Sequence, residues 1–95
     1  MVKHVVMYSL VNPSEENKIA LRDKFLSMKG KIDILLDIES GIDYLKSGRS
    51  YDVVLICTFK SKEDLGTYAM HPVHLPILAY AKTLVKESHA VDFEY

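Results

Sequence analysis

Cysteine is nearly absent. Cys57 is the only one in the chain, so no internal disulfide can form. A chain without disulfides fits a reducing compartment, and a cytoplasmic location is expected. Long apolar runs are missing as well. None approaches the roughly 20 residues that span a bilayer. The opening Met1-Val2-Lys3-His4 lacks the apolar stretch of a secretory leader, so no membrane partner is expected. Charge of one sign is also lacking, with 12 basic against 13 acidic residues and a net charge of −1. That balance gives no electrostatic footprint for nucleic acid. Glycine is scarce too. Gly48 and Gly66 stand alone and fit no phosphate-binding loop. No repeat, linker or low-complexity segment interrupts the chain.

What is present suits a small globule. Apolar residues make up 48% and charged residues 26% of 95 positions, the balance of an ordinary domain, and one domain over 1–95 is expected. Val2 to Val11 is β-branched and aromatic and reads as a first strand. Asn12 then suits a helix N-cap and Pro13 a first helical position, with Glu15 and Glu16 favouring the helix dipole. Leu21, Phe25, Met28 and Ile32 recur at helical spacing as far as a stop near Gly30. Ile34 to Leu45 reads as a second strand with a bulge or bend near Gly41. A short turn leads to the clearest strand, Tyr51 to Lys60, and the two should form a hairpin. Ser61-Lys62-Glu63-Asp64 opens another helix in the manner of a capping box, and His71-Pro72 ends it. Pro76 marks a fresh helical start running to about Lys86, and His89 to Tyr95 alternates as a last strand.

The order is β-α-β-β-α-β, the α+β ferredoxin-like unit with helices on one face of an antiparallel sheet. The strands are apolar on both faces. Val53, Leu55, Cys57 and Phe59 point one way, and Val54 and Ile56 the other. On the first strand Val5 and Met7 oppose His4, Val6 and Tyr8. A sheet with one wet face alternates apolar with polar, and these strands do not. Helices cover only one face, so a second copy packed sheet to sheet is expected to cover the other, giving a homodimer.

The chemistry concentrates in Tyr68-Ala69-Met70-His71-Pro72-Val73-His74, a phenol and two imidazoles in seven residues. His4 joins them if its face lies under the helices. Histidine exchanges protons near neutral pH, and tyrosine can donate to a developing oxyanion. Together they suit general acid–base work on a carbonyl compound. Bland readings stand beside this one. Tyr68 shares a face with Leu65 and fits a core aromatic. His71, at a helix end before a proline, fits a ring that bonds a free carbonyl. His74, if helical geometry reaches back to it, shares a face with Leu78, Ala81 and Val85, where an unpaired imidazole is costly. His4 fits a satisfied strand residue. Cys57, inside an apolar run, reads as core rather than nucleophile. His71 and His74 with His4 are too few and too irregular for a recognised zinc pattern, and no metal is expected.

Tyr51-Asp52-Val53-Val54-Leu55, Phe59, Ser61, Leu65 and Tyr68 followed by His71-Pro72-Val73-His74 resemble the core of the stress-responsive A/B-barrel family. Val2-Lys3-His4-Val5-Val6 resembles that family's first strand, and Gly41 falls where the family places a glycine. The resemblance covers nearly the whole chain, and its Tyr-x-x-His-Pro-x-His segment is the specific part. It implies a dimeric α+β barrel with a pocket between sheet and helices. Some plant relatives are cofactor-independent polyketide cyclases, and the resemblance then implies an acid–base pair at Tyr68 and His74. His4 and His71 become supporting polar groups, and Val6, Tyr8, Leu21 and Phe25 pocket-lining residues. It equally allows a non-catalytic, stress-associated protein that binds a small ligand. Haem-degrading relatives hold their substrate with a tryptophan, and this chain has none.

Overall fold

The computed structural model describes residues 1–95. Its elements are β1 (Val2–Leu10), α1 (Glu15–Leu26), β2 (Asp37–Ile42), β3 (Val53–Phe59), α2 (Lys62–Ala69), α3 (His74–Leu84) and β4 (Val85–Glu94). The strands form one antiparallel sheet in the order β2-β3-β1-β4. β3 thus lies between β1 and β2, the split arrangement of the ferredoxin-like fold. The second crossover carries two helices, α2 and α3, set apart where Met70–Val73 leaves helical geometry.

Local chemistry accounts for the boundaries, and several differ from the sequence reading. Ser14, not Asn12, caps α1: its Oγ accepts the Asn17 N–H at 3.1 Å, while the Asn12 carbonyl accepts from Asn17 Nδ2 at 2.9 Å. α1 ends at Leu26, and the chain turns through Gly30, whose φ of +77° is the left-handed conformation that glycine tolerates. Met28 and Ile32 still enter the core, from turns rather than helix. β2 is shorter than Ile34–Leu45 because Leu35 N–H closes a turn onto the Ile32 carbonyl, and Asp43 Oδ2 closes another by accepting Lys46 N–H at 2.7 Å. The register across Gly41 is unbroken from Asp37↔Thr58 to Ile42↔Val53, so the expected bulge is absent. Ser61 caps α2 through the Asp64 N–H, as its sequence indicates. β4 begins at Val85 rather than His89, since pairing with β1 recruits Glu87 and Ser88 as partners of Ser9 and Tyr8.

The core lies between the helices and one sheet face. Leu21, Met28, Cys57 and Phe59 are sealed from solvent there. The register places Val5 between Ile56 and Val91, and Met7 opposite Val54, on the other face. No helix covers that face, and Val91 and Phe93 on it are 59% and 44% exposed. No helix is long and apolar enough to cross a membrane.

Candidate functional site

A cavity of about 240 Å³ sits between the sheet and the α2–α3 crossover. His4 and Tyr8 reach it from β1, Phe25 from α1, Tyr68 from α2, and His74, Leu78 and Ala81 from α3. α3 starts at His74, so the helical face shared by His74, Leu78 and Ala81 does form, and it lines this cavity.

His74 is fixed by helix-end chemistry. Ala69 is the last residue of α2, where carbonyls lack helical partners. His74 Nδ1 lies 3.2 Å from the Ala69 carbonyl, which can only accept, so Nδ1 carries the proton. Nε2 is then the basic nitrogen. It makes no hydrogen bond within the protein, and no partially buried residue holds a sealed, unpartnered polar atom, so Nε2 opens to free space. Burial lowers the His74 pKa below its ordinary 6.5, the Ala69 hydrogen bond works against that, and the neighbouring His4 and His71 add to it. The ring is therefore neutral at pH 7 and able to accept a proton.

His4 is held by a residue the sequence reading missed. Its Nδ1 hydrogen-bonds Asp92 Oδ1, directly across the β1–β4 pairing. The carboxylate fixes the ring and its tautomer and leaves Nε2 unpartnered. The two imidazoles are thus presented alike, each tied at Nδ1 and open at Nε2. Between them lies Tyr68. Its ring packs 4.2 Å from that of His74 and 6.3 Å, edge-on, from that of His4.

The Tyr68 hydroxyl does not point where an acid–base partner for His74 would need it. It accepts from Cys57 Sγ at 3.8 Å and donates to Met28 Sδ at 3.9 Å, and both sulfurs are sealed from solvent. Burial pushes the phenol pKa well above its ordinary value, and Cys57 and Tyr8 push it the same way. Burial also raises the Cys57 thiol to about 11, partly offset by the Tyr68 hydrogen bond, so this thiol is core and not a nucleophile.

Three residues carried over by resemblance lie elsewhere. His71 Nδ1 accepts the Val73 N–H at 3.0 Å, and its carbonyl accepts from His74 and Leu75 at 2.9 and 3.0 Å. It holds the start of α3 and is not in the cavity wall. Leu21 has no exposed surface and Val6 is buried, and neither lines the space. No cluster of three or more His, Cys, Asp or Glu side chains is disposed around a common point to hold a metal ion.

The sequence profile of the family described as the stress responsive A/B barrel domain matches residues 2–95. A stress-response A/B barrel domain-containing protein of Arabidopsis thaliana is 28% identical over 79 residues, covering 82% of this chain. The match covers only 30% of that plant protein's length. A dimeric ferredoxin-like protein from Bacteroides fragilis, of unknown function, superposes with a TM-score of 0.82 at 25% identity, covering 99% of this chain and 95% of its own. A hydroxynitrile lyase from Passiflora edulis superposes with the same TM-score of 0.82 at 12% identity, covering 97% of this chain and 90% of its own, which is a likeness of fold.

Proposed function

This chain belongs to the stress-responsive A/B-barrel family, and we propose that within this fold it binds a small, largely apolar carbonyl compound and moves a proton on it without a cofactor. One observation carries the reading: two imidazoles with fixed tautomers present unpartnered Nε2 atoms beside one apolar cavity. His74 Nε2 is the base that removes a proton next to the carbonyl. His4, oriented by Asp92, is the second proton carrier. Tyr68 is the ring against which His74 packs, tilted by 39°. The volume limits the ligand. Drug-sized sites start at roughly 300 Å³, so a cavity of about 240 Å³ favours a single-ring compound over a long polyketide chain.

The test is exchange of the α-hydrogens of acetophenone for deuterium, followed by NMR in D₂O, alongside thermal shift. A ligand that binds only the folded state raises Tm. Stabilisation with exchange above the buffer rate supports the reading. Stabilisation without exchange replaces it with non-catalytic binding of a small ligand. If there is neither, the reading falls.

The pH dependence follows from the lowered His74 pKa. Exchange should hold its rate down to about the ordinary histidine value of 6.5 and fall only below it, as Nε2 becomes protonated. Stability should follow the same sign. The unfolded chain takes up the His74 proton near 6.5 and the folded chain only at lower pH, so this group withdraws stability as pH falls through the window just below 6.5. A rate that declines already above that value would point to a different base.

The same reading includes a second copy on the uncovered sheet face, as the description of the Bacteroides fragilis relative as dimeric supports. Ile56 lies on a central strand opposite Val5. Ile56→Glu would place a charge in the apolar contact and is expected to give a folded monomer by sedimentation, where the unaltered chain is a dimer at micromolar concentration. A wild-type monomer would remove this part of the reading.

A further inference from the structure

Tyr8 lines the cavity but has no place in the proton transfer described above. Its ring leans on Phe25, with centroids 5.1 Å apart, and so is fixed in direction. Its hydroxyl makes no hydrogen bond within the protein. Since no sealed polar atom is left without a partner, that hydroxyl also opens to free space. This contrasts with Tyr68, whose hydroxyl is taken up by two sulfurs. His4 and Tyr8 are four residues apart on one strand face, so their Cα atoms stand about 13 Å apart along β1 at the usual rise. The imidazole of His4 and the phenol of Tyr8 thus enter the cavity from well-separated backbone positions, with Leu55, Phe25 and Ile77 among the apolar wall residues.

We propose that Tyr8 selects the ligand by donating its hydroxyl to an oxygen at the end remote from the reacting carbonyl. The preferred class is then a single-ring aromatic ketone or aldehyde with a hydroxyl or ether oxygen opposite the carbonyl group. The phenol suits this task as a donor, because burial, and after it Cys57, raise its pKa and keep it protonated. An unmet donor in a largely apolar wall favours a ligand that satisfies it over one that does not, by roughly tenfold for one hydrogen bond.

The inference rests on the binding reading given above, and one experiment separates the two. Acetophenone and 4-methoxyacetophenone are titrated against the wild type and against Tyr8→Phe by calorimetry, with α-deuterium exchange in parallel. The methoxy oxygen can only accept, so it reports donation by Tyr8. The wild type should bind 4-methoxyacetophenone roughly tenfold more tightly than acetophenone. Tyr8→Phe, which keeps the ring on Phe25, should bind the two alike. An unchanged Tm without ligand shows that the variant is folded. Equal binding of both ketones by the wild type overturns the role of Tyr8 and leaves the site reading intact. A preference that persists in Tyr8→Phe overturns it too, since another group then reads the oxygen. Failure of the wild type to bind either ketone overturns both.

Discussion

Replacing His74 with alanine should reduce α-deuterium exchange by at least about 100-fold, the lower range for loss of a positioned general base. The variant should stay folded. His74 stands at the first position of α3, where alanine is well tolerated, and its ring bonds a helix-end carbonyl that water can reach instead. What disappears is the unpartnered Nε2 beside the cavity. His74→Gln is the informative companion, since its amide can still donate to the Ala69 carbonyl but offers no basic nitrogen. It should match alanine in exchange rate and the wild type in Tm. If exchange in either variant stays within a few-fold of wild type, the base is another group, and His4 is the next candidate. Asp92→Asn then becomes the decisive change, because the amide would leave the His4 ring without its carboxylate.

The second large effect is on stability. Tyr68→Ala should cost about 3–5 kcal/mol, the range for removing a large buried aromatic and leaving a cavity. Tyr68 is only 2% exposed and packs between Phe59, at 5.0 Å, and the two imidazoles. A domain of this length has a total stability of about 5–14 kcal/mol, so the loss removes from roughly a fifth to all of it. Tyr68→Phe is the contrast. It removes only two long contacts to sulfur, weak donors and acceptors, and should cost about 1 kcal/mol or less. It should also retain most of the exchange activity. Chemical denaturation of the two variants measures the first pair of numbers, and the NMR assay the last. Loss of exchange in a fully folded Tyr68→Phe would restore the phenol as the acid–base partner of His74.

The sheet was legible in the sequence because side-chain direction in a strand depends only on counting by two. Alternation placed His4 and Tyr8 on one face and Val5 and Met7 on the other, and the fold puts the first under the helices. The same counting puts Asp92 on the inner face of β4. Its meeting with His4 depends on the register between the first and last strands, which no local pattern encodes. The direction of the Tyr68 hydroxyl was hidden for a similar reason. Its partners are Cys57 on β3 and Met28 in the turns after α1, brought together only by the tertiary fold. His71 and His74 look equivalent in sequence. The break between α2 and α3 turns one toward the Val73 N–H and the other toward the cavity. Helix ends were read less well than faces, because Asn12 and Ser14 are both good caps and only the path of the chain chooses between them.

The two outermost strands also govern how copies of this chain can grow. β2 and β4 each leave one row of backbone groups unpaired, an invitation to add further strands and build a fibre. Both rims are guarded by charge. β2 carries Asp37 and Glu39 in six residues, and β4 carries Lys86, Glu87, Asp92 and Glu94 in ten. Lateral extension would set acidic side chains against one another, whereas the broad apolar side of the sheet carries no such obstacle. In the dimer proposed above, a two-fold partner on that side would close the assembly after one step, with the charged rims left facing water.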